Sequence, residues 1–488
     1  MPNAHAGNNG QINPAQFQKL KTVGRWALKI VLAILSIILL LIITFAAINW
    51  KDEALTPEAQ VFLRDQQYQV PDAQNGFYIM EAMRAPLGSD LLKTGIENVK
   101  AEHALYQKDK AAYESLPHPQ FKGEYVSFSW NNNRCEKTIQ NCVKLDLAKR
   151  VELSPQIAAN QVLTERYTLM RTMGNYEEHL IPSFAARIPA YISVTHAIDL
   201  LLTQASFDIA DGKADTGLQL LESNNAYLRL ILKNSSSLIS KMVLQAAIRK
   251  QARTVSELVV VYPALLEQYA ERISSLVRPM AEEEKTLKRA FLYEARVQAN
   301  FSQNLLASFA LIKDNPGNAP WPLNLLGEQT FQPNATSNMA AKNGSLIIAA
   351  AENPSVDASY TKNRLISLHQ ELSGNGISYY LNSAYNPVGK ILMQIAVPDD
   401  ARIGSYIDKS RDTDAYLRLV SLQVDILRKK IANADRPAYL ASAPPALRNP
   451  YDGSAMSWDG KTGQLKFTGY ENSGNNLDRG KLNIVVLD

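Results

Sequence analysis

Histidine is the natural starting point, because imidazole is the side chain that most often carries protons or binds metals near neutral pH. The chain has six: His5, His103, His118, His179, His196 and His369. None belongs to an H-E-x-x-H motif or to an i, i+4 pair. The densest arrangement is Glu178 and His179 followed by His196 and Asp199, and the last two share a helix face. The sequence therefore predicts surface or structural histidines, with no metal and no cofactor.

Two glutamates are candidates for acid catalysis. Glu178 precedes His179, and Glu222 is followed by Ser223. The Glu-Ser dipeptide resembles the catalytic position of peptidoglycan lytic transglycosylases, whose downstream Gly-Leu-Met-Gln stretch has no counterpart here. Neither a G-x-S-x-G motif nor a phosphate-binding loop is present. The sequence favours a protein that is not an enzyme, and a glycan-acting hydrolase using Glu178 or Glu222 is an alternative.

The chain contains two cysteines, Cys135 and Cys142, separated by a short polar stretch. In an oxidising compartment they are expected to form a disulfide, which in so small a loop stabilises the fold by less than about 3 kcal/mol. A zinc site would need further ligands nearby, and none is present.

An uninterrupted apolar run from Trp26 to Ile48 indicates where the protein resides. At about 1.5 Å per residue, a helix of this length spans a bilayer core of about 30 Å. We therefore predict a transmembrane anchor over residues 24–48, in contact with the lipid bilayer. A cleaved signal peptide, with small residues near Ala46, is the alternative, but its apolar region would be shorter, about 7–15 residues.

Charge around this run predicts the topology. Residues 1–50 contain four Lys/Arg and no Asp/Glu, which accounts for the whole net charge of +4 and leaves residues 51–488 neutral. The basic flank precedes the anchor, so the positive-inside rule places the amino terminus in the cytoplasm. Residues 1–18, polar and without hydrophobic period, are predicted to be a disordered cytoplasmic tail. The neutral remainder makes nucleic acid an improbable partner on electrostatic grounds.

Helical periodicity dominates after the anchor, and it predicts a mainly α fold, an irregular antiparallel helical array. Leu91, Ile96, Val99 and His103 form one such stripe. We expect a helical exported domain over 52–313, a proline-rich connection over 314–334, a second helical segment over 335–435 and a small β-rich tail over 436–488.

Local signals predict where individual helices begin and end. Ser154-Pro155 has the pattern of a helix start, and Gly212 that of a helix end. Glu282 to Glu284 follow Pro279, which predicts a solvated helix start with a Glu284–Lys288 pair at i, i+4.

The last 40 or so residues change character. Asn449 to Gly453 is a turn sequence, and short strand-like runs follow. This segment resembles the carboxyl-terminal part of type II secretion major pseudopilins. The resemblance implies a calcium loop at Asn475, Asn476 and Asp478, whereas the single carboxylate in 472–480 favours a turn without metal, because calcium prefers several carboxylates.

The anchor departs from that family. Pseudopilins have Phe-Thr-Leu-Ile-Glu at the head of the apolar helix, where this chain has Gly24 to Leu28. We therefore expect no pilin-like polymerisation, and the sequence leaves the oligomeric state open.

Together these features predict a bacterial inner-membrane protein with most of its chain in the periplasm. Its exported helical domain would be a scaffold or binding module with an envelope protein partner, accessory to a secretion or pilus-type assembly. The hydrolase and a ligand-binding sensory domain remain as alternatives.

Overall fold

The computed structural model describes residues 14–113, 126–130, 141–313, 330–352, 384–396, 400–469 and 482–487. The helices are α1 (Pro14–Ile48), α2 (Pro57–Leu63), α3 (Gly76–Glu81), α4 (Leu91–Lys108), α5 (Lys110–Tyr113), α6 (Cys142–Ala148), α7 (Arg150–Ala159), α8 (Gln161–Thr172), α9 (Tyr191–Ala210), α10 (Ala214–Asn234), α11 (Leu238–Val261), α12 (Ala264–Gln268), α13 (Ala270–Leu276), α14 (Glu282–Lys285), α15 (Lys288–Lys313), α16 (Pro333–Glu352), α17 (Pro387–Ala396), α18 (Asp400–Arg428) and α19 (Arg436–Ala441). Short 3₁₀ turns cover Asp72–Gln74, Asn433–Asp435 and Pro445–Leu447, and the strands are β1 (Ser457–Asp459), β2 (Gln464–Thr468) and β3 (Leu482–Val486). The prediction of a mainly helical chain is confirmed.

Helix α1 stands apart from the rest of the protein. Its part Lys21–Ile48 is long and apolar enough to cross a membrane, and none of its most apolar stretch is buried against other elements. A signal sequence near an amino terminus has the same length and composition. The predicted amino-terminal apolar helix is therefore confirmed as a helix.

The end of α1 is hydrogen-bonded to the helical domain through a group of polar residues that we call the helix-end latch: Asn49, Asp52, Gln332, Asn334 and Asn386. Asn49 Oδ1 accepts from the Asn386 backbone N–H at 2.9 Å, and the Asn49 carbonyl accepts from Gln332 Nε2 at 2.7 Å. Asp52 Oδ2 accepts from the Asn334 N–H at 2.7 Å, at the start of α16. The chain after α1 is thus held against the domain without a slack linker.

The main core is built by α9, α10, α11 and α18. Gly212, with φ of 76°, closes the tight turn between α9 and α10, so the predicted helix end is confirmed. Leu201, Leu419 and Phe467 belong to one hydrophobic cluster. They come from the predicted exported domain, second helical segment and tail respectively, so these three parts share a core.

The carboxyl-terminal strands form an antiparallel sheet in the order β1-β2-β3. It is preceded by the turn predicted at Asn449 to Gly453, where the Gly453 N–H donates to the Asn449 carbonyl at 2.9 Å. The sheet packs on α18. Tyr451 stacks on Phe467 and donates its hydroxyl to Asp412 Oδ1 at 2.7 Å, which ties the tail to this helix.

Two local predictions are wrong. Helix α7 begins at Arg150, so Pro155 lies inside it instead of starting it. Glu284 belongs to the single turn α14 and Lys288 begins a separate helix, so the two residues are not an i, i+4 pair.

Several sequence predictions lie partly or wholly outside the described residues. These are Cys135, the loop of Asn475, Asn476 and Asp478, residues 1–13 of the predicted tail and most of the connection at 314–334. Cys142 is the first residue of α6, and its pairing with Cys135 stays a prediction.

Candidate ligand-binding cavities

Helices α3, α4 and α15 and the segment 176–191 meet around two neighbouring cavities. Close approach of α3 and α4 depends on Gly95, because a Cβ at this position would lie 1.9 Å from the Tyr78 carbonyl oxygen. The packing directs Glu102 and His103 of α4 inward, next to Glu81 of α3. His103 thus lies on the inward stripe that the sequence predicted for α4.

The larger space, which we call the outer cavity, has a volume of about 160 Å³. Its walls are formed by residues 63–66 and Tyr68, by one face of α4, by Leu180 and Pro182, and by Tyr293, Arg296 and Asn300 of α15. Spacings of three and four residues place these last three on one side of α15. The cavity therefore combines aromatic and aliphatic surface with the guanidinium groups of Arg64 and Arg296 and the carboxylate of Asp65.

Arg296 is half-buried and has an incomplete set of partners. Its Nη1 donates to Gln66 Oε1 at 3.1 Å, whereas its buried Nε has no hydrogen-bond partner among the described residues. Within the same part of the chain no carboxylate forms an ion pair with it. Burial lowers the pKa of Arg296, with Tyr68 acting in the opposite direction.

His179 is held in one tautomer by its neighbours. Hydrogen bonds from Lys100 and Tyr78 lower the pKa of Asp72, so this carboxylate is ionised and accepts a hydrogen bond from the Tyr78 hydroxyl at 2.7 Å. The Tyr78 oxygen must then accept from His179 Nδ1 at 2.9 Å, which leaves His179 Nε2 unprotonated. Burial lowers the pKa of His179 to about 4, so the ring is neutral at pH 7.

The histidine also joins the two cavities. Its ring stacks on Tyr68 with centroids 3.7 Å apart, and its carbonyl accepts from His103 Nε2 at 3.0 Å. His179 Nε2 is buried without a hydrogen-bond partner in the described ranges. His103 and Leu180 line both cavities, while His179 lines the smaller one.

The smaller space, the inner cavity, has a volume of about 20 Å³ and contains an acidic pair. Arg187 Nη2 lies 2.5 Å from Glu81 Oε2 and 3.4 Å from Glu102 Oε2. Tyr113 donates to Glu102 Oε1 at 2.8 Å. Burial raises the pKa of Glu81 to about 7, Arg187 opposes the shift, and the charges of Glu102 and Glu178 add to it. Glu81 therefore changes protonation near neutral pH.

Glu178 is completely buried and surrounded by donors. Its Oε1 accepts from Tyr176 at 3.0 Å, from Tyr191 at 3.1 Å and from Ser240, and its Oε2 accepts from the Ser236 N–H at 2.6 Å. Burial raises the pKa of Glu178, and these hydrogen bonds counteract the shift. Glu178 thereby connects the segment 176–191 to the start of α11, and it lines neither cavity.

Glu222 lies elsewhere, on α10. Its carboxylate accepts from Arg272 Nε at 2.6 Å and Nη2 at 2.8 Å in a partly exposed pair. Asp199, which the sequence grouped with His179 and His196, pairs with Lys250 at 2.5 Å. No three His, Cys, Asp or Glu side chains in the described ranges are arranged to hold a metal ion.

Sequence reasoning missed Tyr68, Glu81, Arg187 and Arg296. Polar side chains on the inward face of α15, at 293, 296 and 300, were a usable signal, because a polar group on a buried face requires a partner. No comparable signal precedes Tyr68, whose position depends on stacking against a residue distant in sequence. Comparison of the chain with protein-family models, curated proteins and solved structures gave no match.

Proposed function

We propose that the chain is a single-pass protein of the bacterial inner membrane, with its amino terminus in the cytoplasm and its helical domain in the periplasm. The domain is a binding module with an envelope protein partner, accessory to a secretion or pilus-type assembly. The observation that carries the proposal is α1, whose apolar side chains are exposed along the length needed to cross a bilayer. Lipid removes such a surface from water, as packing does for the other helices.

The latch favours an anchor that is retained over a signal peptide that is removed. Helix α1 continues through Ala46, and Asn49 Nδ2 donates both to the Phe45 carbonyl at 3.0 Å and to the Ala384 carbonyl at 2.7 Å. Cleavage after Ala46 would cut between Phe45 and Asn49 and remove one of these bonds.

Fractionation of cells expressing the full-length chain tests the anchor. We expect the protein in the membrane pellet after carbonate extraction, with an intact mass that includes residues 1–46. A phosphatase fused after Asp488 should be active and a cytoplasmic fluorescent reporter at the same position dark. A mature protein beginning at Ala47 would contradict the anchor, and the reverse reporter pattern would contradict the topology.

The compartment is tested independently by the cysteines. If the domain is periplasmic, Cys135 and Cys142 should resist alkylation until a reductant is added, because disulfides persist in oxidising compartments. Alkylation of both thiols without reductant would contradict a periplasmic location.

Exposed apolar side chains in the segment 184–192, beside the inner cavity, support a partner surface. Phe184, Ile188 and Ile192 are 55%, 64% and 74% exposed. Exposed apolar side chains grouped along one segment are typical of protein interfaces.

In-cell crosslinking of the full-length chain tests this surface. The tail cannot simply be deleted, because Phe467 and Leu487 lie in the core. We therefore compare Ile188→Lys and Ile192→Lys with Val151→Lys, a control at a side chain 89% exposed on α7. Envelope proteins captured by the wild type should be lost in the first two variants and retained in the control. A protein recovered alone in every case would exclude the partner.

Of the two alternatives, the ligand-binding domain has the stronger support. The outer cavity is a formed space with an incompletely paired cation, which is the usual character of a small-molecule site. The hydrolase gains none, because Glu178 and Glu222 line neither cavity.

A further inference from the structure

We infer that the outer cavity binds a small monocarboxylate, held by Arg296 and the Tyr68 hydroxyl, with its hydrocarbon part against the aromatic wall. The inference extends the proposed binding function from a protein partner to a chemical ligand.

A guanidinium removed from water is stabilised by acceptors that replace its hydration. In the described residues Arg296 has one side-chain acceptor, Gln66, and its buried Nε has none. Two other partly buried arginines have carboxylate partners: Arg187 contacts Glu81 and Glu102, and Arg272 contacts Glu222. An anion in the cavity would complete the same arrangement at Arg296, because the guanidinium fork matches a carboxylate.

Tyr68 supplies a second donor. Burial raises the pKa of Tyr68, and the nearby Glu177 adds to the shift, so the hydroxyl keeps its proton at physiological pH. That hydroxyl has no hydrogen-bond partner in the described ranges, and Tyr68 and Arg296 are close enough for each to influence the ionisation of the other. The stacked His179 ring fixes the plane of Tyr68.

The charges around the outer cavity favour a ligand with a single negative charge. Arg64 and Asp65 carry opposite charges on exposed side chains, and the nearby Glu177 adds negative charge at Tyr68. Arg296 is the half-buried cation whose charge a ligand can neutralise. A monocarboxylate balances it, whereas a phosphate dianion would be repelled by Asp65 once Arg296 is neutralised.

Size and wall chemistry specify the rest of the ligand. A volume of about 160 Å³ is close to the roughly 150 Å³ that accommodates benzene in a protein interior. Leu63, Leu180 and Pro182 and the rings of Tyr106 and Tyr293 offer the apolar contact. Benzoate is therefore a suitable probe, and benzamide is its neutral counterpart of the same shape.

The experiment uses full-length protein in lipid nanodiscs, with empty nanodiscs as the blank, and titrations followed by saturation-transfer NMR. We expect saturable benzoate binding, with benzamide and inorganic phosphate weaker by about tenfold or more. Arg296→Gln should weaken benzoate by about tenfold or more. Arg289→Gln, a control at an exposed arginine on the same helix, should leave the affinity unchanged.

Tyr68→Phe covers the case in which Arg296→Gln does not fold, because it removes the hydroxyl and keeps the ring. It should weaken benzoate by about threefold to tenfold, with an unchanged circular dichroism spectrum. Equal binding of benzoate and benzamide, no saturable binding, or equal losses in the Arg289 and Arg296 variants would overturn the inference. Stronger binding of phosphate would reassign the site to phosphate. Fractionation is independent of these titrations, so the membrane proposal and the ligand inference can fail separately.

Discussion

Buried charged residues serve two different purposes in this protein. The carboxylate of Glu178 accepts four hydrogen bonds from donors on three separate parts of the chain. Arg296 keeps a buried N–H without a partner in the described residues. The satisfied carboxylate of Glu178 holds elements together, whereas the incompletely satisfied Arg296 lines a cavity in which a ligand could complete its hydrogen bonds.

Glu178→Gln should therefore destabilise the protein. An amide presents one oxygen and places an N–H₂ group against donors, so we expect a loss of about 2–4 kcal/mol in the free energy of unfolding. Urea titration measures it. Glu222→Gln is the control, with a change below about 1 kcal/mol, because its ion pair is partly exposed. Equal stability of Glu178→Gln and the wild type would assign Glu178 a role other than structural.

Glu81 should make stability depend on pH. Its pKa is raised from 4.5 to about 7 in the folded protein, so the folded state binds the proton more tightly than the unfolded state. Stability from this group is present below about pH 4.5 and falls as pH rises toward 7, by at most about 1.4 kcal/mol per pH unit.

Unfolding measurements between pH 5 and 8 test this dependence. Glu81→Gln should remove this component of the slope, and the exposed Glu58→Gln should retain it. Parallel pH profiles for the wild type and Glu81→Gln would contradict the raised pKa.

At the scale of elements, the contact between α3 and α4 tolerates no side chain at Gly95. Gly95→Ala would bring Cβ to 1.9 Å from the Tyr78 carbonyl oxygen, and we expect a loss of about 3 kcal/mol or more together with distortion of both cavities. Gly404, in α18, has open space where a methyl group would lie, with no atom within 4 Å in the described residues. Gly404→Ala should therefore stabilise the protein by about 0.5–1 kcal/mol. Thermal unfolding of the two variants should shift in opposite directions.

Elements were predictable from sequence where the signal is local. Four predictions depended only on residues close together in the sequence. These are the apolar length of α1, the inward stripe of α4, the helix end at Gly212 and the turn at Asn449. Ser154-Pro155 misled because a serine followed by a proline is the usual pattern of a helix start, whereas α7 begins at Arg150 without a side-chain cap and Pro155 is its sixth residue.

Long-range pairing was not predictable. Burial favours a raised pKa for Glu284, but Arg278 and Arg229 outweigh it and its pKa is lowered. Arg229 comes from α10, and its guanidinium lies 2.8 Å from Glu284 Oε2. The sequence predicted a solvated helix start because that partner is distant in the chain. The candidate cavities were missed for the same reason, since Tyr68, Glu81, Arg187 and Arg296 are brought together only by the fold.

At the scale of the whole molecule, the latch connects α1 to the domain. Asn49→Ala removes side-chain hydrogen bonds to Phe45, Ala384 and Asn386. We expect amide hydrogen exchange over residues 47–56 to accelerate by about tenfold or more. Val151→Ala, at a side chain 89% exposed on α7, is the control.

The same exchange experiment reports on the rest of the chain. Protection of α9 and α11 should be unchanged in Asn49→Ala, because the latch lies outside the main core. Faster exchange throughout the protein would indicate that Asn49 supports global stability and not a local joint.

A domain on a flexible linker samples many orientations. When such a domain associates with a neighbour in the same membrane, it loses this orientational entropy, which weakens the association. With Asn49, Asp52 and Asn386 fixed, much of this loss has already occurred during folding. If α1 crosses the bilayer as proposed, the partner segment at 184–192 and the outer cavity are presented at a set height and azimuth above the lipid. Recognition in the plane of the bilayer becomes a search with two translations and one rotation, so weak contacts would suffice for association.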